Sequence, residues 1–275
     1  MVDLDRCVNT AYLLIVPSDR QIVELFHLHF VRLLCSGRDR DCFAIKGGCN
    51  IRLFFDSVRY SEDIDLDVTE EIAVHTLKER VSSILGAPAL SLPLRSRGIQ
   101  VSSVSAPKQI ETTQRWKVHL AVAGHSVPLH TKIEFSRRGT AEEARFEPIA
   151  ASIVAEHQFM PLVVPHYPLG PALRQKVGAL VGRSTVQARD VFDLGVLFAK
   201  AGGRVDALHL VRSSIPAAIE RAMAVSYAEF RSQVVSYLHP EQVQTYGSPE
   251  AWDALQMQVL EHLQKAQAHG PGGGR

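Results

Sequence analysis

Two aspartates, Asp63 and Asp65, are the residues whose type and spacing point most clearly to chemistry. They lie in the segment SEDIDLDV, residues 61–68, whose alternation of polar and apolar side chains predicts a β-strand. Because side chains alternate between the two faces of a strand, both carboxylates would share one face. Neighbouring carboxylates repel each other unless a cation lies between them, and Mg²⁺ prefers such oxygen ligands and shares them with substrate phosphates. Metal ions held there would activate an acceptor hydroxyl and stabilise a leaving pyrophosphate.

A glycine turn precedes this pair. The segment FAIKGG, residues 43–48, predicts a short strand that runs into Gly47 and Gly48, and residues 49–56 predict a short helix. Glycine backbone can approach a triphosphate closely, and the start of a helix offers free N–H groups to its oxygens. The turn is not a Walker A motif, because no Gly-Lys-Ser/Thr follows. An isolated Asp-x-Asp is usually a polar strand face, but here the strand–helix–strand spacing, with Arg59 and Ser61 directly before the pair, favours a phosphate site.

A third carboxylate is expected from a neighbouring strand. Residues 116–138 predict two strands joined by a turn at Gly124–Ser126, and in the second strand Glu134 lies on the face opposite Ile133 and Phe135. We expect Glu134 to complete the metal ligands. Two alternatives are a surface glutamate paired with a nearby cation, Lys132 or Arg137, and Asp67 as the third ligand instead.

The segment KGG…RYSEDIDLDV, within residues 46–68, resembles the signature of the DNA-polymerase-β-like nucleotidyltransferases, in which a Gly-Gly or Gly-Ser turn precedes Asp-x-Asp. It is most similar to the AbiEii/MenT nucleotidyltransferase-like toxins of bacterial toxin–antitoxin systems. Cys49 and Asn50 depart from that pattern, since they stand where the family has a hydroxyl residue and a small apolar residue. A thiol is a weak hydrogen-bond donor, so the backbone N–H is the contact expected to remain there.

A second block, residues 173–198, resembles the toxins' K-x-x-A-L…R…R-D-x-x-D-L pattern, and the resemblance covers roughly residues 40–200. It implies that Lys176 neutralises triphosphate charge and that Asp190 or Asp193 orients Lys176 or Arg183. The alternative is a salt-bridged helical surface. The expected metal ligands are Asp63, Asp65 and Glu134; the further catalytic residues are Lys176, Asp190 and Asp193; the nucleotide-binding residues are Lys46, Gly47, Gly48, Cys49, Arg59, Ser61, Arg183 and Arg189.

The elements that position these residues predict an α+β fold. A polymerase-β-like core of mixed sheet and flanking helices is expected over residues 1–155, a mostly helical domain that completes the cleft over 156–268, and a disordered tail over 269–275. Residues 21–37 predict an amphipathic helix, 69–86 a helix capped by Thr69, and 87–112 a loop with one strand near Ile99–Ser103. Helices are expected over 171–200 and 206–267.

Composition and charge limit the classes of protein to which the chain could belong. The chain has 275 residues and a net charge of +1, which excludes a strongly basic coat and leaves only a local patch for nucleic acid. Four cysteines without a CxxC motif argue against structural zinc or a disulfide framework, and no run of apolar residues is long enough to span a membrane. We therefore expect a soluble cytoplasmic protein. Candidate rim cations, for which solvated surface is the alternative, are Arg95, Arg97, Arg115, Lys117, Arg137 and Arg138.

The resemblance implies a toxin that transfers a nucleotide from an NTP to RNA, most commonly to the 3′ end of tRNA, and so blocks translation. Mg²⁺, or Mn²⁺ in its place, is the implied cofactor and a cognate antitoxin the implied partner, whereas ATP, CTP, GTP and UTP are not distinguished. The alternative is a nucleotidyltransferase that modifies an antibiotic or a protein hydroxyl. A binding module without catalysis is a third hypothesis, against which the intact Asp63 and Asp65 pair argues.

Overall fold

A mixed seven-stranded sheet with flanking helices, followed by a mostly helical C-terminal half, confirms the predicted α+β fold. The structure, a computed structural model, describes residues 17–37, 40–69, 72–138, 142–202 and 210–268. The expected disordered tail, residues 269–275, lies outside the described residues. Among the described helices none is long and apolar enough to cross a membrane.

The strands are β1 Phe43–Lys46, β2 Ile64–Val68, β3 Ile99–Ile110, β4 Thr113–Val122, β5 Leu129–Ser136, β6 Arg145–Pro148 and β7 Val163–His166. The helices before β7 are α1 Asp19–Leu34, α2 Gly47–Phe54, α3 Val74–Gly86, α4 Pro88–Arg95 and α5 Ala151–Glu156. Those after it are α6 Leu169–Gly182, α7 Ala188–Ala201, α8 Ile215–Met223, α9 Tyr227–Gln233, α10 Pro240–Tyr246 and α11 Pro249–Ala268.

The sheet has the strand order β3-β4-β5-β2-β1-β7-β6. β2 is central, antiparallel to β1 and parallel to β5, and β1 is parallel to β7. Strands β3, β4 and β5 form an antiparallel meander to one side. This topology brings residues 43–68 beside residues 129–136, so the predicted acidic strand and the predicted Glu134 strand are direct neighbours.

Local sequence explains where α1 begins but not where α3 begins. Helix α1 begins with a capping box between Ser18 and Gln21 and buries Phe26 and Phe30, in agreement with the predicted amphipathic face. The predicted cap of α3 at Thr69 is wrong, because this helix begins at Val74. Thr69 instead donates its hydroxyl hydrogen bond to the backbone carbonyl of Asp41. The acidic residues 70 and 71 lie outside the described residues.

The loop predicted from residue 87 is also wrong at its start, since residues 88–95 form α4. Pro88 suits the first turn of a helix, and Leu90 and Leu94 are buried against the sheet core. Pro93 cannot donate a hydrogen bond back to the carbonyl of Ala89. That carbonyl accepts one from the Arg32 side chain instead, at 3.1 Å. The expected strand near residues 99–103 extends to residue 110.

Two hydrophobic cores form, one between the sheet and helices α1, α3 and α4, and one among α6–α9 and α11. Helix α2 contributes to both. Cys49 and Leu53 pack into the sheet core, whereas Ile51 and Phe55, next to them in sequence, pack into the helical core. The segment after the glycine turn is therefore held between the two halves. The division of the chain at residue 155 stays a prediction, although β7 adds a strand to the sheet from beyond that point.

Candidate active site

The predicted carboxylates line the cleft beside the glycine turn. Asp65 and Glu134 are directly paired in the parallel register of β2 and β5, so their side chains leave the same face of the sheet. Asp63 immediately precedes β2, and its Oδ1 accepts a hydrogen bond of 2.9 Å from the backbone N–H of Lys132. The fold thus brings Glu134 beside Asp63 and Asp65, which lie about seventy residues earlier in the chain.

Cations neutralise two of these acids. Lys132 Nζ lies 2.7 Å from Asp63 Oδ2, and Arg115 Nε lies 2.6 Å from Glu134 Oε2. Both cations are partly exposed, so these pairs are screened and weak. Burial raises the pKa of Asp65, and repulsion from Asp63 and Glu134 adds to the rise, against the attraction of Lys46 and Lys176. A further positive charge beside Asp65 would stabilise the ionised form of its carboxylate.

The two glycines make room for the acids and their neighbours. Gly47 has a positive φ of 66°, and a Cβ there would lie 2.9 Å from Asp65 Oδ2. A Cβ at Gly48 would lie 2.7 Å from Arg59 Nη2 and 3.2 Å from Ser61 Oγ. Helix α2 begins at these glycines rather than after them. Both glycines line the same cleft as Asp65, and the first backbone N–H groups of a helix have no partner within the helix.

Two predicted nucleotide contacts take different positions from those expected. The side chain of Cys49 is buried in the sheet core, where burial raises the pKa of its thiol, so it does not fit a phosphate contact. Lys46 Nζ lies 2.5 Å from Asp67 Oδ1, and the Tyr167 hydroxyl donates to Asp67 Oδ2 at 2.9 Å. Asp67, the competing metal ligand, is therefore already satisfied on both oxygens, although Lys46 still lines the cleft.

The helical half supplies a cationic wall built on two fully buried aspartates. Lys176 Nζ lies 3.1 Å from Asp190 Oδ1 and 2.6 Å from Asp193 Oδ2. Arg59 Nη2 donates to both oxygens of Asp193 at 3.0 Å, and Arg183 Nε lies 2.8 Å from Asp190 Oδ2. Burial would raise the pKa of Asp193, but Arg59 and Lys176 outweigh it and hold that pKa below its usual range. Asp190 and Asp193 lie behind the cations and are joined to them by ion pairs.

The carboxylates and these cations line one cavity of about 700 Å³ between the sheet and helix α6. Its predicted lining residues are Lys46, Gly47, Gly48, Arg59, Ser61, Asp63, Asp65, Glu134, Lys176, Arg183 and Arg189. Sequence reasoning did not assign a role at the cleft to Gln175, Ser136 or Lys132. Lys132 was visible as a neighbour of Glu134 on the same strand face, but its pairing with Asp63 depends on the β2–β5 register.

A compact acidic group lies elsewhere. Among the described residues, the ligand atoms of Glu24, Glu156 and His157 all lie within 4.8 Å of one another. The guanidinium of Arg52 already occupies this group, since Arg52 lies 2.7 Å from Glu24 and 2.8 Å from Glu156. Tyr60 also donates its hydroxyl hydrogen bond to Glu156. A metal ion would have to displace a buried arginine, so this group fits a structural role better.

Comparisons with known proteins agree with the geometry. The model of a family described as "Nucleotidyl transferase AbiEii toxin, Type IV TA system" matches residues 32–267. No curated protein sequence matches the chain.

Two solved structures from Helicobacter pylori share the fold. JHP933 has a TM-score of 0.57 and 16% identity, with 92% of this chain and 94% of that chain covered. A candidate nucleotidyltransferase has a TM-score of 0.58 and 17% identity, with 92% of this chain and 96% of that chain covered.

Proposed function

The chain belongs to the AbiEii family of nucleotidyl transferase toxins of type IV toxin–antitoxin systems, and from this premise we propose that it transfers a nucleoside monophosphate from an NTP to an RNA acceptor. The 3′ end of tRNA is the acceptor implied by the sequence resemblance, and its modification would block translation. We further propose that the toxin acts in the cytoplasm and that a cognate antitoxin restrains it.

One observation carries the proposal: Asp65, Glu134 and Lys176 line a single cavity although they come from three separate parts of the chain. Carboxylates suited to metal ions face a lysine suited to phosphates across this cavity. Lys176 pairs with Asp190 and Asp193 behind it, and Asp65 forms no ion pair with any described cation.

The triphosphate would lie between the start of helix α2 and the helical wall. The N–H groups at Gly47 and Gly48 approach it without side chains, and the N-terminus of a helix favours an anion. Lys176 and Arg183 would contact the β- and γ-phosphates as positive charges. Arg59 is held bidentate by Asp193, which fixes its direction, so its role would be to hold the glycine turn and Lys176 in register.

The donor set of the cleft fits a divalent cation. Asp63, Asp65 and Glu134 offer hard oxygen ligands, and burial, together with repulsion from the other two acids, raises the pKa of Asp65. Mg²⁺, or Mn²⁺ in its place, would when bound assist deprotonation of the acceptor hydroxyl and stabilise charge on the leaving pyrophosphate. Lys132 and Arg115, which now neutralise two of these acids, would then be available to substrate phosphates.

In the reaction, the acceptor hydroxyl oxygen forms a bond to the α-phosphorus of the NTP. The bond from that phosphorus to the bridging oxygen of pyrophosphate breaks, pyrophosphate leaves, and the hydroxyl proton passes to water. Asp63 and Asp65 lie at the cavity wall nearest Lys132, where the hydroxyl would approach. Lys176 would follow the phosphates as negative charge builds up on the leaving group.

The test is direct transfer of label. The purified protein is incubated with Mg²⁺, each α-³²P-labelled NTP in turn, and total bacterial RNA, and the products are separated on a denaturing gel. We expect label in the tRNA band with at least one NTP, and none with Asp65→Ala. Label on protein alone, or on a small hydroxylated antibiotic added to the mixture but not on RNA, would support the alternative nucleotidyltransferase instead.

A further inference from the structure

A second cavity, of about 580 Å³, opens beside the candidate active site. It shares Glu62, Asp63, Arg115 and Lys132 with the first cavity, so the two meet at Asp63. A transferase must bring two substrates to one point, and the first cavity already contains the glycine turn and the triphosphate cations. The second cavity is therefore the place for the acceptor.

The second cavity lies on the open face of strands β4 and β5. Helix α1 packs against β5, and helices α3 and α4 pack against the neighbouring β3. Their apolar side chains share a core with Trp116, Val118 and Ile133, which lie on the opposite face. We call the five side chains of the open face the cationic strip. Its members are Arg115, Lys117 and His119 on β4, and His130 and Lys132 on β5.

The strand register places residues of the same type opposite each other in the strip. Lys117 is directly opposite Lys132, and His119 is directly opposite His130 with ring centroids 4.3 Å apart. Like charges directly opposite each other on neighbouring strands destabilise a sheet. Successive side chains on one strand face are about 6.6 Å apart, a spacing comparable with that of phosphates along an extended nucleic-acid strand.

Part of the strip has no acidic partner. Arg115 is paired with Glu134 and Lys132 with Asp63, whereas the exposed Lys117 forms no salt bridge with any described carboxylate. The one further acid at this cavity, Glu62, accepts a hydrogen bond from the Tyr237 hydroxyl and lies 4.0 Å from Arg189. Glu62 is therefore turned toward the helical half and leaves the strip positive.

We propose that the cationic strip binds the last phosphates of the RNA acceptor strand and leads its terminal hydroxyl to Asp63. This inference rests on the proposed function, and it names the part of the site that receives the acceptor. Lys117 holds a backbone phosphate by charge, which positions the strand without reading its sequence. A cationic antibiotic would be repelled by the same surface.

The experiment compares four variants in transfer to unfractionated tRNA. Lys117→Ala removes the charge, Lys117→Glu reverses it, and Lys117→Arg keeps it. Lys78→Ala is the matched control, because Lys78 is an exposed lysine on α3, which packs on the other face of the sheet. The readouts are the KM for tRNA, the KM for NTP, kcat, and the salt dependence of tRNA binding measured by fluorescence anisotropy.

Lys117→Ala is expected to raise the KM for tRNA about fivefold and Lys117→Glu more than about tenfold, with kcat and the KM for NTP nearly unchanged. The slope of log K against log salt should fall by about 0.7 for the loss of one phosphate contact with a single strand. Lys117→Arg and Lys78→Ala should behave like the wild type.

Two other results would overturn the inference, and they can be told apart. If the wild type labels tRNA but Lys117→Ala and Lys117→Glu match it in every readout, the strip does not bind the acceptor and the proposed function stands. If the wild type labels no RNA with any NTP, or labels protein instead, the proposed function fails and this inference fails with it.

Discussion

Two acidic clusters among the described residues differ in what neutralises them. The open cluster, Asp63, Asp65 and Glu134, faces the cleft and is paired only with partly exposed cations. The other cluster, which we call the buried cluster after Glu24 and His157, also contains the exposed Glu156; it is more compact but is filled by the guanidinium of Arg52. Closeness of carboxylates alone therefore does not identify a metal site. A site also needs charge that the protein itself leaves unbalanced.

The two clusters also differ in the direction of their pKa shifts, because their charged partners differ. Burial would raise the pKa of Glu24, but hydrogen bonds and charge from His157 and Arg52 hold it below its usual value. The pKa of Asp65 is shifted in the opposite direction. The charges of the buried cluster consequently stabilise the fold, whereas the ionised form of Asp65 is disfavoured by burial and by its acidic neighbours. Mutations in the open cluster should lower the activity, whereas mutations in the buried cluster should lower the stability.

The largest expected effect is on activity, at the open cluster. Asp65→Ala should reduce transfer by at least about 10³-fold, because it removes a group on which charge stabilisation in the transition state depends. The fold should be retained, since the side chain lies at a polar cleft. Single-turnover transfer of labelled NMP, together with circular dichroism, measures both. Activity close to that of the wild type would remove Asp65 from the site.

The next effect is on stability, at the buried cluster. Glu24→Gln leaves the buried Arg52 without its main partner and should lower the free energy of unfolding by about 3–5 kcal/mol. Urea denaturation measures this loss. Transfer per folded molecule should stay within a few-fold of the wild type. A variant that is fully stable but inactive would instead make Glu24 part of the reaction.

A smaller loss of activity is expected in the helical half. Lys176→Met should lower kcat/KM by about 10²-fold, since Lys176 supplies positive charge opposite the carboxylates. Lys78→Met, on the far side of the sheet, is the matched control and should leave kcat/KM unchanged. If both variants transfer equally well, the helical half is only a scaffold, and the site rests on the sheet alone.

The smallest effect is a dependence on pH. The pKa of Glu24 is lowered on folding, so its contribution to stability is present above its ordinary value of 4.5 and is lost as the pH falls through the folded value. The difference in unfolding free energy between the wild type and Glu24→Gln should therefore shrink below about pH 4.5. Urea denaturation at a series of pH values checks this. A difference that stays constant down to pH 3, or grows, would show that Glu24 does not act through its charge.

Sequence reasoning was strongest where the pattern is local. The alternation in residues 61–68 and 129–136 predicts strands with carboxylates on one face, and the structure brings Asp65 and Glu134 side by side. The direction of a side chain was harder to predict where it depends on packing. Cys49 faces the sheet core because α2 is shared between two cores, and nothing in its neighbours indicates which side it takes.

Long-range pairings could not be predicted. The contact of Arg115 with Glu134 and that of Lys132 with Asp63 depend on strand register, which the local pattern does not specify. The Arg52 cluster joins α1, α2 and α5, which are distant in the chain. Helix α4 was missed because its two prolines suggested a loop, whereas burial of Leu90 and Leu94 favours the helix.

The most direct test of the open cluster is anomalous X-ray scattering from crystals grown with Mn²⁺ and an NTP. We expect manganese peaks bounded by Asp63, Asp65 and Glu134, with the triphosphate extending toward Lys176. We expect no peak at Glu24, Glu156 and His157, where Arg52 already provides the positive charge. Manganese at that buried cluster, or an NTP bound with no metal beside Asp65, would contradict the assignment of the open cluster as the reaction centre.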